Sequence, residues 1–124
     1  MSEPMGLPEI DRVVHEPARL AILTVLASCR EADFLFLERA TGLTRGNLSV
    51  QLTRLEEAGL IRIAKTIVKK RTLTTASLTE GGGAALKAYW ASMEAMRAMA
   101  QARAEGERDG APSGMGTEWM PARG

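Results

Sequence analysis

The sequence predicts a mainly α fold with a small antiparallel β-hairpin, of the α+β class. Three observations carry this prediction. Apolar residues recur at helical spacing in three short segments before Gly59, the spacing changes to alternation over 61–67, and helical spacing returns in one long segment after Thr79.

The elements follow in order. Pro17 suits a first helical turn, and Leu20, Ile22, Leu23, Val25 and Leu26 predict a well-buried helix over 18–28. Asp33 is placed to cap a second helix over 34–40, with Gly42 where a helix C′ glycine belongs. Thr44 caps a third helix, 44–58, in which Leu48, Leu52 and Leu55 share one face and which Gly59 ends. Only Thr41, Gly42, Leu43 and Thr44 separate the second helix from the third, which makes the pair a helix-turn-helix.

Ile61, Ile63, Lys65 and Ile67 then alternate with Arg62, Ala64 and Thr66, and 72–78 is rich in β-branched residues. Val68, Lys69, Lys70 and Arg71 form a basic hairpin tip between the two strands. Thr79 caps a last helix that runs to about Ala104, and Glu80 complements its dipole. The expected divisions are a flexible segment 1–9, a globular domain 10–79, a C-terminal helix 80–104 and a disordered tail 105–124.

Composition bounds the class. The chain has 124 residues, 45% hydrophobic and 25% charged, as expected of one compact domain with an appendage. Its longest strongly apolar run, 20–27, falls far short of the ~20 residues that cross a bilayer. The first twelve residues hold acids and no apolar core, unlike a secretory signal, and the single Cys29 has no internal disulfide partner. A cytoplasmic protein without a membrane partner is expected.

The net charge of +1 conceals an uneven distribution. Between Arg45 and Thr72 there are seven bases and two acids, whereas the remainder holds nine bases and thirteen acids. A basic middle between acidic flanks sets where a polyanion binds, whatever the total. A solvated face of mixed charge is the competing reading.

The segments HEPARLAIL (15–23), LTRGNLSVQLTRLEEAGLI (43–61) and SLTEGGGAAL (77–86), in this order around a basic hairpin, resemble the winged-helix transcriptional regulators. The nearest branch is the small MarR/ArsR-like proteins built from one winged helix. The resemblance covers roughly 10–99. It implies a winged helix-turn-helix with a long C-terminal dimerisation helix, whose third helix enters the major groove and whose wing, 66–72, flanks it at the backbone or minor groove. It further implies a dimeric DNA-binding regulator.

The residues argue in the same direction. Opposite the three leucines, the third helix presents Gly46, Val50, Thr53 and Arg54, flanked by Asn47, Ser49 and Gln51. Mostly small, amide and uncharged side chains replace the Glu/Lys mixture of an ordinary surface helix. Arg reads guanine bidentately, Asn and Gln read adenine, and an outward Val touches a thymine methyl. Arg45 at the helix start is placed for a phosphate, assisted by free backbone N–H groups. Lys65, Lys69, Lys70 and Arg71 supply salt-sensitive phosphate contacts. A charged edge that discourages strand aggregation is compatible with that role.

In the last helix Leu86, Tyr89, Trp90, Met93, Met96 and Ala100 form an apolar stripe near a heptad seam. Pairing with a second copy would bury it and set two recognition helices about one DNA turn apart. Packing back onto the same domain is the alternative. Ile10, Val13 and Val14 add to either interface.

Other features carry less. Gly81, Gly82 and Gly83 open a helix without GxxxxGK[ST] or GxGxxG. Gly82 matches the glycine of the resembling family, while Gly81 and Gly83 weaken the first turn. Cys29 has no companion ligands at metal spacing and reads as a small buried residue, His15 as a hydrogen-bonded structural one. No nucleophile–base pair is found, so no catalytic residue, metal or cofactor is expected and the chain is not expected to be an enzyme. The expected partners are operator DNA, a second copy and, as an option, an unidentified small-molecule effector between the dimer helices. The leading expectation is a homodimeric repressor, and the alternatives are a winged-helix protein-interaction module or an effector-responsive regulator.

Overall fold

The computed structural model describes residues 7–110. Helix α1, Pro17–Ala27, starts where Glu16 takes an extended backbone and its carboxylate accepts the Arg19 N–H at 2.7 Å, with Pro17 in the first turn. After the two-residue strand β1, Ala32–Asp33, come α2, Phe34–Thr41, and α3, Arg45–Glu57. Asp33 and Thr44 cap them through hydrogen bonds to the N–H groups of Phe36 and Asn47. Gly42 ends α2 in the left-handed conformation, φ 76°, which a side chain would oppose.

Strands β2, Ile61–Val68, and β3, Arg71–Leu78, pair antiparallel from Ile61 opposite Leu78 to Val68 opposite Arg71. The hairpin expected from alternation is therefore present, but it belongs to a three-stranded sheet ordered β1-β3-β2. β1 was not expected: a two-residue strand has no periodicity of its own, and it exists because Ala32 and Asp33 pair with Ala76 and Thr75. Lys69 and Lys70 form the turn with φ 51° and 65°. Two successive left-handed residues give the twist a tight hairpin needs, at a cost of ~1–2 kcal/mol for each side chain that is not glycine.

The core is built around α1, which packs against α2, α3, α4 and β3. Ile22, Leu23, Leu26, Leu37, Leu48, Leu55 and Val14 are fully buried, with Leu52, Ile61 and Ala76 completing the centre. Truncating any of the leucines to Ala would cost ~2–5 kcal/mol. The hairpin outruns this core. Ile61 is buried and Ile63 packs against the centre, but Ile67, six residues on at ~3.3 Å each, is 77% exposed and outside the core.

Helix α4, Glu80–Gly110, is locked to the domain at its first turn. The Thr79 N–H donates to the Leu60 carbonyl at 3.0 Å, its hydroxyl donates to Gly59 O at 2.7 Å, and that hydroxyl accepts the Gly82 N–H at 2.9 Å. Gly82 lies against the Leu60 carbonyl so closely that a Cβ there would overlap it, whereas Gly81 and Gly83 have ordinary room.

Two expectations about this helix are corrected. It passes Ala104 and runs to Gly110, so 105–110 are not an unstructured tail; Arg97 bonds Glu94 and Gln101, and Gln101 bonds Glu105, which supports the added turns. The Arg97 guanidinium, first as donor and then as charge, holds the Glu94 carboxyl below its ordinary pKa. The remainder of the expected tail, 111–124, and positions 1–6 of the expected flexible segment lie outside the described residues.

The second correction concerns the apolar stripe. Leu86 and Tyr89 are buried in the chain's own core and Met93 packs against it, so half of the expected dimer surface is satisfied internally. Trp90, at 49% exposure, Met96 and Ala100 stay exposed, the last two within a run, 94–106, in which every residue is exposed. Ile10 and Val14 likewise serve the internal core, while Val13 is exposed.

Candidate nucleic-acid interface

Helix α3 is held by Leu48, Leu52 and Leu55, and its opposite side is open. Gly46, Asn47, Ser49, Val50, Thr53 and Arg54 are all exposed, Val50 by 48%, and no other element covers them. The Thr53 hydroxyl donates to Ser49 O at 3.1 Å. Nothing lies within 4 Å of a Cβ at Gly46, so this position is bare toward solvent.

Gln51 is placed differently from its neighbours. It is half-buried on the α1 side of α3, where its Oε1 accepts from Arg19 Nη1 at 2.9 Å. Its Nε2 donates to Asn47 Oδ1 at 3.0 Å. Arg19 Nε in turn donates to the Val13 carbonyl at 2.6 Å. Gln51, expected among the groove-contact residues, thus has both ends of its amide engaged by Arg19 and Asn47.

On the other flank of α3, Arg45 projects with its side chain 76% exposed, and its guanidinium stands 3.9 Å from Glu38 Oε1 of α2. Arg45 and Arg71 line one groove between α2 and β3, together with Asp33, Glu38 and Leu73. Beyond it the wing carries Lys65, Lys69, Lys70 and Arg71, all exposed and without ion pairs among the described residues. The excess positive charge therefore lies on the wing and at the start of α3, while the two acids of α3, Glu56 and Glu57, are exposed at its far end.

Two residues that bear on the interface were missed from the sequence. Arg19 looks like one charge among apolar neighbours on α1, and its partner Gln51 lies 32 positions away. Glu38 looks like an ordinary surface acid. The only signal available for either was helical phase, which places Arg19 on a flank of α1 rather than in its core.

His15, read as a hydrogen-bonded structural residue, holds its Nδ1 2.9 Å from the Tyr89 hydroxyl. Cys29 is half-buried and its Sγ donates to Val25 O at 3.4 Å. Among the described residues no group of three or more His, Cys, Asp or Glu side chains is arranged to hold a metal ion, and no helix is long and apolar enough to cross a membrane.

A family model described as a winged helix DNA-binding domain matches residues 18–97. The chain is 32% identical over 78 residues to an uncharacterized protein of Methanocaldococcus jannaschii, a match that takes in 63% of this chain and 85% of that one. Among solved structures, a transcriptional regulator homologue from Pyrococcus horikoshii OT3 is similar with a TM-score of 0.65 and 30% identity, over 69% of this chain and 85% of that one. A MarR family transcriptional regulator from Silicibacter pomeroyi shares the fold at 18% identity, with a TM-score of 0.56 over 79% of this chain and 74% of its own.

Proposed function

From the premise that this chain belongs to the winged helix DNA-binding domain family of transcriptional regulators, we propose that it acts as a homodimer on operator DNA and represses by occluding a promoter. Helix α3 enters the major groove, with Arg54, Val50, Asn47, Ser49 and Thr53 toward base edges. Lys65, Lys69, Lys70 and Arg71 of the wing, with Arg45 at the helix start, engage phosphates.

One observation carries this reading. The exposed face of α3 is bare of acids from Gly46 to Arg54 and stands beside a projecting hairpin whose tip is entirely basic. A surface helix without a polyanionic partner gains nothing from that composition, whereas base edges need small, amide and guanidinium groups. The dimer is supported by the second half of α4. Its residues 94–106 are all exposed, Met96 and Met99 among them, and Trp90 is exposed on the turn before, on a helix whose 31 residues span ~46 Å.

The test is a mobility-shift titration with the DNA upstream of the chain's own gene, run across a salt series with random competitor. A shift that survives competitor and weakens steeply with salt supports regulation of that promoter. No shift at ~50 mM salt from folded protein would instead favour a module that docks to an acidic protein surface. Light scattering behind size exclusion checks the dimer, and a monomer at micromolar concentration would remove that part.

A further inference from the structure

We propose that Arg19, outside the recognition helix, sets which hydrogen-bonding groups that helix offers to the bases: through Gln51 it makes Asn47 a donor toward DNA and so selects guanine over adenine. The proposal rests on the reading of α3 as the base-reading helix.

The chain of contacts permits one assignment. A guanidinium has donors and no acceptor, so the Gln51 atom facing Arg19 at 2.9 Å is its oxygen. The other end of that amide is then a donor, so the Asn47 atom facing it at 3.0 Å is also an oxygen. Asn47 is left with its Nδ2 hydrogens on the exposed side. Nothing in this sequence of constraints depends on guessing an amide orientation, because the cation at its origin cannot be reversed.

Arg19 is itself fixed. It is half-buried, its Nε donates to Val13 O at 2.6 Å, and Val13 is held by a turn in which Asp11 Oδ1 accepts the N–H groups of Val13 and Val14. The polarity of Asn47 is therefore anchored in the segment before α1. A free asparagine reads adenine by accepting from N6 and donating to N7. With its oxygen engaged by Gln51, Asn47 offers donors, which match the two acceptors of guanine, O6 and N7. Arg19 is a positioning residue and does not itself touch the DNA.

The experiment is selection from a randomised duplex library with wild type, Asn47→Ala, Arg19→Leu, Arg19→Lys and Gln51→Glu, each first checked for a cooperative melt. The position whose preference disappears in Asn47→Ala is the one to read. Wild type is expected to enrich guanine there, and Arg19→Leu to shift the guanine-to-adenine ratio by about tenfold toward adenine, with Arg19→Lys restoring guanine. Gln51→Glu, nearly isosteric, keeps its bond to Arg19 but accepts at both ends. Asn47 must then turn its amide and expose its oxygen, and the preference is expected to move to adenine or cytosine. Because Gln51→Glu preserves the packing, it decides the matter even if Arg19→Leu fails to fold.

An unchanged preference in Gln51→Glu, or wild-type enrichment of adenine at that position, would overturn the role of Arg19. A loss of preference in Asn47→Ala at no position would do the same. Absence of any enrichment by wild type would instead sink the base-reading helix itself, and with it the proposal built on it.

Discussion

The carboxylate of Glu38 faces the guanidinium of Arg45 across the turn between α2 and α3, 3.9 Å away, and its Oε1 has no hydrogen-bond partner. The contact joins the two helices of the helix-turn-helix at the point where phosphate is expected. It is too long for a hydrogen bond and Arg45 is largely solvated, so it holds the cation weakly.

Glu38→Gln should therefore strengthen binding. Removing one negative charge beside Arg45 and Arg71 is expected to raise affinity for random duplex about two- to five-fold at low salt, and the gain should vanish near ~0.5 M salt. Fluorescence anisotropy across a salt series measures both. Identical curves for the two proteins would mean that Glu38 exerts no hold on the groove.

Arg54 and Lys70 should separate base reading from phosphate contact. Arg54→Ala is expected to cost ~1–3 kcal/mol on the operator and to relax preference at one base pair. Lys70→Ala should weaken every sequence alike and flatten the salt slope by about one unit. Equal losses on operator and random DNA for Arg54→Ala would contradict its base contact.

The turn at Lys69–Lys70 makes a second prediction at the same residue. Lys70→Gly removes the same charge as Lys70→Ala, but only glycine is unstrained at φ 65°. The glycine variant should be about 1 kcal/mol more stable than the alanine variant in denaturant melts, with similar DNA affinity. A Lys70→Ala protein as stable as the glycine one would argue against the left-handed turn.

The three glycines that open α4 should respond in opposite ways. Gly82→Ala drives a Cβ into the Leu60 carbonyl and is expected to cost about 3 kcal/mol or more, since backbone must move. Gly83→Ala finds its nearest neighbour, Leu78, at 3.8 Å and should stabilise by ~0.5–1 kcal/mol through helix propensity alone. Thermal melts of the two variants decide the point.

At the other end of α4, Met96→Glu should shift the protein toward monomer without lowering the melting midpoint of the isolated domain, because Met96 is 36% exposed and outside the core. Analytical ultracentrifugation reads the first effect and calorimetry at low concentration the second. Retention of the dimer with unchanged affinity would move the interface elsewhere.

The parts of the fold legible in the sequence are those governed by near neighbours. Leu48, Leu52 and Leu55 declare the buried face of α3 because a helix repeats every 3.6 residues, and the open face follows by elimination. Asp33, Thr44 and Thr79 declare their caps because each bonds an N–H within three residues. The wing's basic tip is visible as a run of three charges. Less legible was how far each pattern is used. Alternation marked the strand through Ile67 but not that the core ends before it, and the stripe on α4 did not reveal that Leu86 and Tyr89 meet the same chain.

By itself, then, the sequence determined the order of the four helices and the hairpin, the helix-turn-helix and, Gln51 apart, the residues that α3 and the wing expose, since these depend on local spacing and on side-chain chemistry. Tertiary structure alone decided that β1 completes the sheet, that α4 divides into a docked half and a free half, and that Arg19 orients Gln51 and Asn47. Those outcomes join residues 32 to 74 positions apart, as in Arg19–Gln51 and His15–Tyr89. No periodicity spans such separations, because which atoms meet is set by packing of the whole core rather than by any one segment.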